Sequence, residues 1–272
     1  AALSLRFKDA IKDLYFIGFI ALKDPLRKDA KKAIQAATEA GMKIVVVTGD
    51  HMFTAKAVAK ELGLPCAPEN IVEGHELEAM SDKELTSRIK DVAVFARVEP
   101  RHKLRIIETW QNEKAVIAMT GDGVNDAPAL KKADIVIALG SGTDVAKEAS
   151  DLVLLTDEFS IIPAAIKEGR VIVDNIRKII TYILSGSFTE TILIGASFLF
   201  GAPFLPVTAL QILWINLLED TLPSIALAME KPEKDVMKRK PPKPNSALLT
   251  GEMKVIVFVI GILTDLLLLG IF

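Results

Sequence analysis

Asp122 and Asp126 stand four residues apart in "TGDGVNDAPALKKAD", and an earlier "VVVTGD" places Thr48, Gly49 and Asp50 at the end of another apolar run. Glycines beside such residues let the backbone turn sharply and approach a phosphate closely. Two carboxylates converging on one loop repel each other unless a cation lies between or beside them, so Asp122 and Asp126 suit a hard ion such as Mg²⁺. A turn aspartate followed by a helix-capping aspartate would also explain one such motif. Two TGD strand ends in one sheet weigh against that plainer explanation. Lys103 follows "ARVEPRH", where Pro100 opens a helix and puts the lysine in its first turn. A cation is poorly matched to that end of the helix dipole, which points to an anionic partner. A solvated surface lysine is nonetheless the commoner fate of an isolated lysine.

A second set of reactive groups lies in an apolar setting. Residues 179–229 contain no lysine or arginine, and their only acids are Glu190, Glu219 and Asp220. Ser187 precedes Glu190 by three positions, and Asn216, Glu219 and Asp220 follow i, i+3, i+4 spacing, which puts each group on one helix face. Pro223 has no N–H to donate to the carbonyl of Glu219, which leaves that oxygen beside two carboxylates. Carboxylates, an amide, a hydroxyl and a carbonyl make an all-oxygen set that suits a hard cation, Ca²⁺ above all. The alternative is that these acids are protonated or paired with bases elsewhere; the two helices themselves supply no base. Asp265, in a third apolar run over residues 255–272, receives no assignment.

The elements that must position these groups divide the chain. Residues 1–178 mix charged and apolar positions, whereas residues 179–229 are long enough for two membrane helices of about 20 residues each. Lys167, Arg170, Arg177 and Lys178 precede that hairpin, and Lys231, Lys234, Lys238, Arg239, Lys240 and Lys243 follow it. The turn "GAPFLP" carries no base, so both ends are expected in the cytoplasm with the soluble part. "KRKPPKP" is read as a proline-stiffened loop. With no breaker between Pro163 and Gly186, one helix is expected to run from the soluble part into the apolar part.

In the soluble part, "YFIGFIAL", "KIVVVTGD", "VAVFARV", "KAVIAMTGD", "ADIVIAL" and "DLVLL" alternate with helical spacing over residues 28–40, 55–62 and 102–111. That alternation predicts an α/β fold, a parallel sheet covered on both faces with ligands at the carboxyl ends of its strands. The polar residues 69–90 are expected to form a peripheral excursion. A formal charge of −2 argues against a nucleic-acid binder working through bulk charge. The lone Cys66 excludes an internal disulfide framework.

"TGDGVNDAPALKKADIVIALGSGTDVAKEASDLVL" resembles the hinge region of the P-type cation-transporting ATPases, most closely the calcium-pump-like branch. "KDPLR", "VVVTGD", "FARVEPRHK" and "LQILWINLLEDTLPSIALAMEKPEKDVMKRKP" follow in the order that family shows, so the resemblance covers essentially the whole chain. It implies a HAD-like, Rossmann-like phosphorylation domain over residues 1–160. Long fifth and sixth membrane helices would follow over 161–228, then a cytoplasmic loop over 229–252 and the start of a seventh helix over 253–272. No DKTGT motif, which carries the family's phosphorylated aspartate, occurs here. The resemblance thus implies a C-terminal piece that is inactive alone and works with the remaining domains of the pump.

By that resemblance Asp122 coordinates the catalytic Mg²⁺, with Asn125 and Asp126 in support. Lys103, Thr48 and Gly49 approach the phosphoryl group. Asp50 and Arg97 serve the nucleotide side of an ATP site, and Asp24 and Arg27 match the family's DPxR hinge. Ser187, Glu190, Asn216, Glu219 and Asp220 would bind the transported cation. The expected protein is a multi-pass pump of the plasma (inner) membrane, coupling aspartyl-phosphate formation and hydrolysis to movement of Ca²⁺ with H⁺ countertransport. Its expected partners are lipid and the transported ion, not nucleic acid. The calcium-pump pattern usually has asparagine where Ser187 stands and threonine where Glu219 stands, which suggests fewer ions per cycle than a two-site pump. A pump for Na⁺, K⁺ or another monovalent ion, a membrane-anchored HAD-type phosphatase, and a non-catalytic membrane protein are the alternatives.

Overall fold

A computed structural model describes residues 15, 17–18, 20, 25–121, 127–148, 150–156, 158–199, 201, 207–242 and 246–271. Most of "YFIGFIAL", together with Asp24, Asp122, Asn125 and Asp126, lies outside the described residues.

Helix α1 (Ala30–Glu39), strand β1 (Val46–Val47) and helix α2 (Met52–Leu62) open the soluble half. Gly63 ends α2 at φ 82°, a left-handed position that glycine adopts without strain. Then come β2 (Ile71–Glu73), α3 (Gly74–Ala79), α4 (Asp82–Arg88), β3 (Val94–Ala96) and α5 (Pro100–Asn112). The three strands are parallel in the order β1-β3-β2. β3 is central, and Val94, Phe95 and Ala96 are fully buried, as continuous apolar character demands.

Residues 69–90 are not a peripheral excursion. They contribute β2, α3 and α4, and their Val72, Leu77, Leu85 and Ile89 join Val92, Phe95, Val98 and Ile106 in the main core cluster. The polar composition misleads because α3 and α4 each bury one narrow stripe and expose the rest. β2 is three residues long, too short for its period to stand out.

The second half holds β4 (Ala118–Gly121), α6 (Ala127–Lys132), β5 (Ile135–Leu139), α7 (Asp144–Glu148) and β6 (Leu152–Leu154), with parallel order β4-β5-β6. Burial on both faces is not met here. Ile135, Leu152 and Val153 are each more than a third exposed, and β4 alternates exposed with half-buried positions. Leu130 and Ala146, from the short α6 and α7, pack on Val136, so these helices cover little of the sheet. α5 packs on α6, and Gln111 donates to the Lys132 carbonyl at 2.9 Å, joining the halves. Among the described residues β1 bonds only to β3 and β4 only to β5, so there the two strands that run into TGD motifs are both sheet edges.

A 39-residue helix, α8 (Ile161–Leu199), follows, about 58 Å long at 1.5 Å per residue. α9 (Ala209–Ile215) leads into a π-helical turn (Asn216–Asp220) and α10 (Thr221–Ala228). α11 (Gly251–Val255), a second π-helical segment (Ile256–Gly261) and α12 (Ile262–Ile271) form the last helical run. α10 and α12 both pack on α8. Ile161–Leu199 and Gly251–Gly270 are long and apolar enough to cross a membrane.

Candidate functional site

The carboxyl edge of the first sheet gathers the sequence-predicted phosphate residues through backbone bonds. Thr48 N–H donates to the Phe95 carbonyl at 2.9 Å, Arg97 N–H to the Asp50 carbonyl at 2.9 Å, and Val98 N–H to the Thr48 carbonyl at 3.1 Å. The Thr48 hydroxyl accepts from Asp50 N–H at 3.1 Å and closes the loop on itself. Thr48-Gly49-Asp50 is thereby laced to the segment that enters α5. Gly49 and Asp50 are exposed, which leaves the loop backbone open to a ligand.

Arg97 sits at φ 51°, a left-handed conformation uncommon for a residue with a side chain, and its guanidinium is more than half exposed. Gly74 permits this. A Cβ there would lie 2.2 Å from the Arg97 carbonyl oxygen. Gly74→Ala is expected to destabilise the soluble half by about 3 kcal/mol through overpacking against backbone; thermal unfolding of the purified protein checks it. An unchanged Tm would show that Arg97 can relax at no cost. The sequence holds no signal for this contact, because the residues are 23 apart and share no motif.

Pro100 is the first residue of α5, and Lys103 lies in its first turn, half-buried. His102, which sequence reasoning passed over, fixes that turn. Its Nδ1 accepts from Glu99 N–H at 3.0 Å, so Nε2 must carry the proton that meets Glu78 at 3.0 Å. The His102 bond, reinforced by the Arg101 guanidinium, holds the Glu78 carboxyl below the usual carboxylate range. Arg105 donates to the carbonyls of Leu77 and Met80 at 2.5 and 2.7 Å and to Asp82 at 2.7 Å. α3 and α4 therefore brace the helix that carries Lys103.

β4 ends at Gly121, paired with Ala138 of β5, and α6 begins at Ala127. The intervening Asp122, Asn125 and Asp126 are outside the described residues, so their convergence on Mg²⁺ stands as an expectation. Arg27 is exposed just before α1. Two residues on, Asp29 accepts from Ser160 N–H at 2.9 Å, which ties the start of α1 to the approach of α8.

The base of α8 is a junction. Arg170 donates to the Ala40 carbonyl at 2.6 Å, to Val236 at 2.7 Å and to Arg239 at 2.9 Å. One guanidinium thus binds the end of α1 and the loop after α10. Asn175 donates to the Ala228 and Glu230 carbonyls at 3.1 Å each, and Lys178 meets Glu230 at 2.7 Å. Arg239 reaches Asp174 at 2.6 Å and Asp235 at 2.8 Å, and also pairs with Glu233. The Arg239 bond holds Asp235 below the ordinary aspartate range, and the Glu230 bond pushes Lys178 above the ordinary lysine range.

The signs set a pH window for this docking. The depressed Asp235 contributes stability that is complete above its unfolded pKa and lost as pH falls through its lower folded value. The raised Lys178 contributes stability that is complete below its unfolded pKa and lost as pH rises through its higher folded value. Amide exchange over residues 230–242 is expected to stay equally protected from about pH 4 to about pH 10, the unperturbed values. Protection should fall on either side. A loss centred near pH 6.5 would implicate histidine and contradict this.

In the apolar half the structure changes the predicted ligand geometry. Asn216, Glu219 and Asp220 sit on a π-helical turn, so the α-helical i, i+3, i+4 alignment does not hold. Asn216, Glu219 and Ser187 are exposed, whereas Glu190 and Asp220 are half-buried. Among the described residues Glu190 Oε1 is buried with no hydrogen-bond partner, as a ligand atom awaiting a cation or proton would be. A Cβ on Gly186 would come within 3.9 Å of Asp220 Oδ1, which puts that carboxylate against α8 one turn before Glu190. The Glu219 carbonyl, expected to be free, instead accepts from the Tyr182 hydroxyl at 2.6 Å. Among the described residues no three His, Cys, Asp or Glu side chains converge tightly enough to hold a metal ion. Asp265 is 1% exposed on α12, whose run meets α8 where Phe258 packs on Phe188 and Gly261 lies near the Ser185 carbonyl.

Residues 2–134 match the haloacid dehalogenase-like hydrolase family, and residues 204–272 match the cation transporting ATPase C-terminus family. A calcium-transporting ATPase of Bacillus subtilis is 48% identical over 95% of this chain and 30% of its own length. Calcium-transporting ATPase 3, endoplasmic reticulum-type, of Arabidopsis thaliana is 42% identical over 95% of this chain and 26% of its own. A solved catalytic domain of the CPx-ATPase CopB-B aligns over 52% of this chain and 46% of that one, at 26% identity and a TM-score of 0.40. The chain therefore spans under a third of the length of the curated relatives it matches. With residues 2–134 matching the hydrolase family, residues 204–272 the cation transporting ATPase C-terminus and relatives aligned across both, the chain belongs to the P-type cation-transporting ATPases.

Proposed function

We propose that this chain forms part of an ATP-driven pump that moves Ca²⁺ across a membrane, with H⁺ carried in return. The observation that carries this is α8. One unbroken 39-residue helix is tied at its start to α1, through Ser160–Asp29 and Arg170–Ala40, and bears Glu190 far along its apolar portion beside Asp220. A rigid element joining phosphate chemistry to carboxylates in an apolar segment is what coupling requires. The soluble half and residues 229–252 are cytoplasmic, α8 to α10 make a membrane hairpin, and residues 253–272 begin another span.

The described residues suit an ATP phosphate group. Thr48, Gly49 and Asp50 present an open loop, Arg97 an exposed guanidinium and Lys103 a cation in a helix's first turn. Asp122, Asn125 and Asp126 would hold Mg²⁺, which neutralises phosphate charge when bound. The free edges of β1 and β4, each running into TGD, fit a parallel strand ending in DKTGT from the preceding part of the pump. That strand would bring the acceptor aspartate between the two loops.

For the ion, the argument is electrostatic. Glu219 adds a negative charge to the Glu190 and Asp220 group, and neighbouring carboxylates cannot all stay ionised without a cation. A divalent ion exchanged for a proton meets that condition. Ser187 in place of an asparagine amide shortens one ligand, in keeping with fewer ions per cycle.

In the full-length protein Asp122→Asn is expected to reduce phosphorylation from ATP about 100-fold at limiting Mg²⁺, with partial recovery as Mg²⁺ rises. Labelled-ATP incorporation checks this. Wild-type labelling at limiting Mg²⁺ would remove Asp122 from the metal site.

A further inference from the structure

Pro223 leaves the Glu219 carbonyl without its helical donor, and the structure shows which group takes it. The Tyr182 hydroxyl, on α8, donates to that oxygen at 2.6 Å. The bond crosses between helices and lands inside the π-helical turn Asn216–Asp220. The same turn is held from within by Thr221 Oγ1, which donates to the Asn216 carbonyl at 3.1 Å, an i to i+5 span. Four residues along α8 from Tyr182, Gly186 marks where Asp220 Oδ1 comes near the helix. A carbonyl in an apolar setting favours keeping a donor, so this hydroxyl ties the spacing of the two helices to the conformation of the turn.

We infer that Tyr182 is a positioning residue for the cation carboxylates. It holds the Pro223-released carbonyl, keeps Asn216–Asp220 in its π conformation, and so sets where Glu219 and Asp220 stand relative to Glu190. It also occupies one of that carbonyl's two lone pairs. π turns inserted in α-helices rotate the side chains beyond them and recur at functional sites. Without the Tyr182 bond the turn is free to tighten towards α geometry, swinging Asp220 relative to Gly186. The bond therefore makes the cation site depend on the separation of α8 from the segment carrying Asp220. This rests on the proposal that Glu190, Glu219 and Asp220 bind the transported ion.

The test uses full-length protein in vesicles, with Ca²⁺ as the probe and ATP hydrolysis as the readout. Tyr182→Phe, which deletes one oxygen, is expected to raise the half-saturating Ca²⁺ concentration about ten-fold, the equivalent of about 1.4 kcal/mol. The maximal rate and the unfolding temperature should stay near wild type. Thr181→Val removes the adjacent hydroxyl, which bonds only within α8 to the Arg177 carbonyl, and is expected to leave the Ca²⁺ dependence unchanged. Asp220→Asn separates this inference from the reading it rests on. If Asp220→Asn abolishes Ca²⁺ dependence while Tyr182→Phe matches wild type, the positioning role is overturned and the cation site stands. If Asp220→Asn leaves Ca²⁺ dependence intact, the cation site itself is wrong. A Tyr182→Phe protein that folds but is inactive at every Ca²⁺ concentration would also overturn the inference, because positioning shifts affinity and not the maximum.

Discussion

The 272-residue chain, incubated with labelled ATP and Mg²⁺, quenched in acid and run on a gel, is expected to carry no label. In the function proposed, Lys103 and Mg²⁺ held by the aspartates would neutralise a phosphoryl group, but phosphoryl transfer also needs an acceptor, and the chain contains no DKTGT aspartate. The effect is all or none, since positioning without an acceptor produces no covalent product. The structure adds a second expectation. Among the described residues β1 and β4 are edges, and exposed edges accept strands. Co-expression with a separate polypeptide carrying the preceding domains should restore labelling, on that polypeptide and not on this one. A stable acyl-phosphate on the 272-residue chain itself would overturn the assignment of the site.

Asp220→Asn in the full-length protein is expected to abolish cation-dependent phosphorylation. Asp220 lies against α8 at Gly186 and within electrostatic reach of Glu190, whose Oε1 is buried without a partner among the described residues. Losing a direct charged ligand should exceed the roughly 10–100-fold loss typical of groups that only orient ligands. Glu219→Thr is expected to act differently, because Glu219 is exposed on the π turn and adds charge more than shape. It should move the ion and pH dependence and leave activity in place. If neither substitution altered cation dependence, this cluster would not be the transport site.

The legible parts of this chain were those with strong local chemistry. Pro100 at the head of α5, the TGD loop ending β1 and the single helix through residues 161–199 all follow from local rules: a missing N–H, a glycine turn, an absence of breakers. Residues 69–90 were misread because their buried positions are few, and three-residue β2 shows no period; only packing against β3 reveals them as core. The cluster at Asn216–Asp220 was singled out by residue type, and the α-helical alignment expected for it is replaced by a π turn. Helical spacing assumes an α turn, and no local composition announces a π turn. Pro223 correctly marked a displaced carbonyl bond, yet its new donor, Tyr182, is 37 residues away and invisible to any local rule. Gly74 against Arg97, Asp29 at Ser160 and Arg170 at Ala40 were missed for the same reason: each is a contact between distant segments whose value exists only once the chain has folded.

Full-length protein in sealed vesicles, assayed for ATP hydrolysis as each cation is added in turn, tests the central claim most directly. Micromolar Ca²⁺ is expected to stimulate hydrolysis, with the dependence lost in Asp220→Asn. Stimulation by Na⁺ or K⁺ with none by micromolar Ca²⁺ would contradict the calcium assignment, and hydrolysis indifferent to every cation would contradict the pump itself.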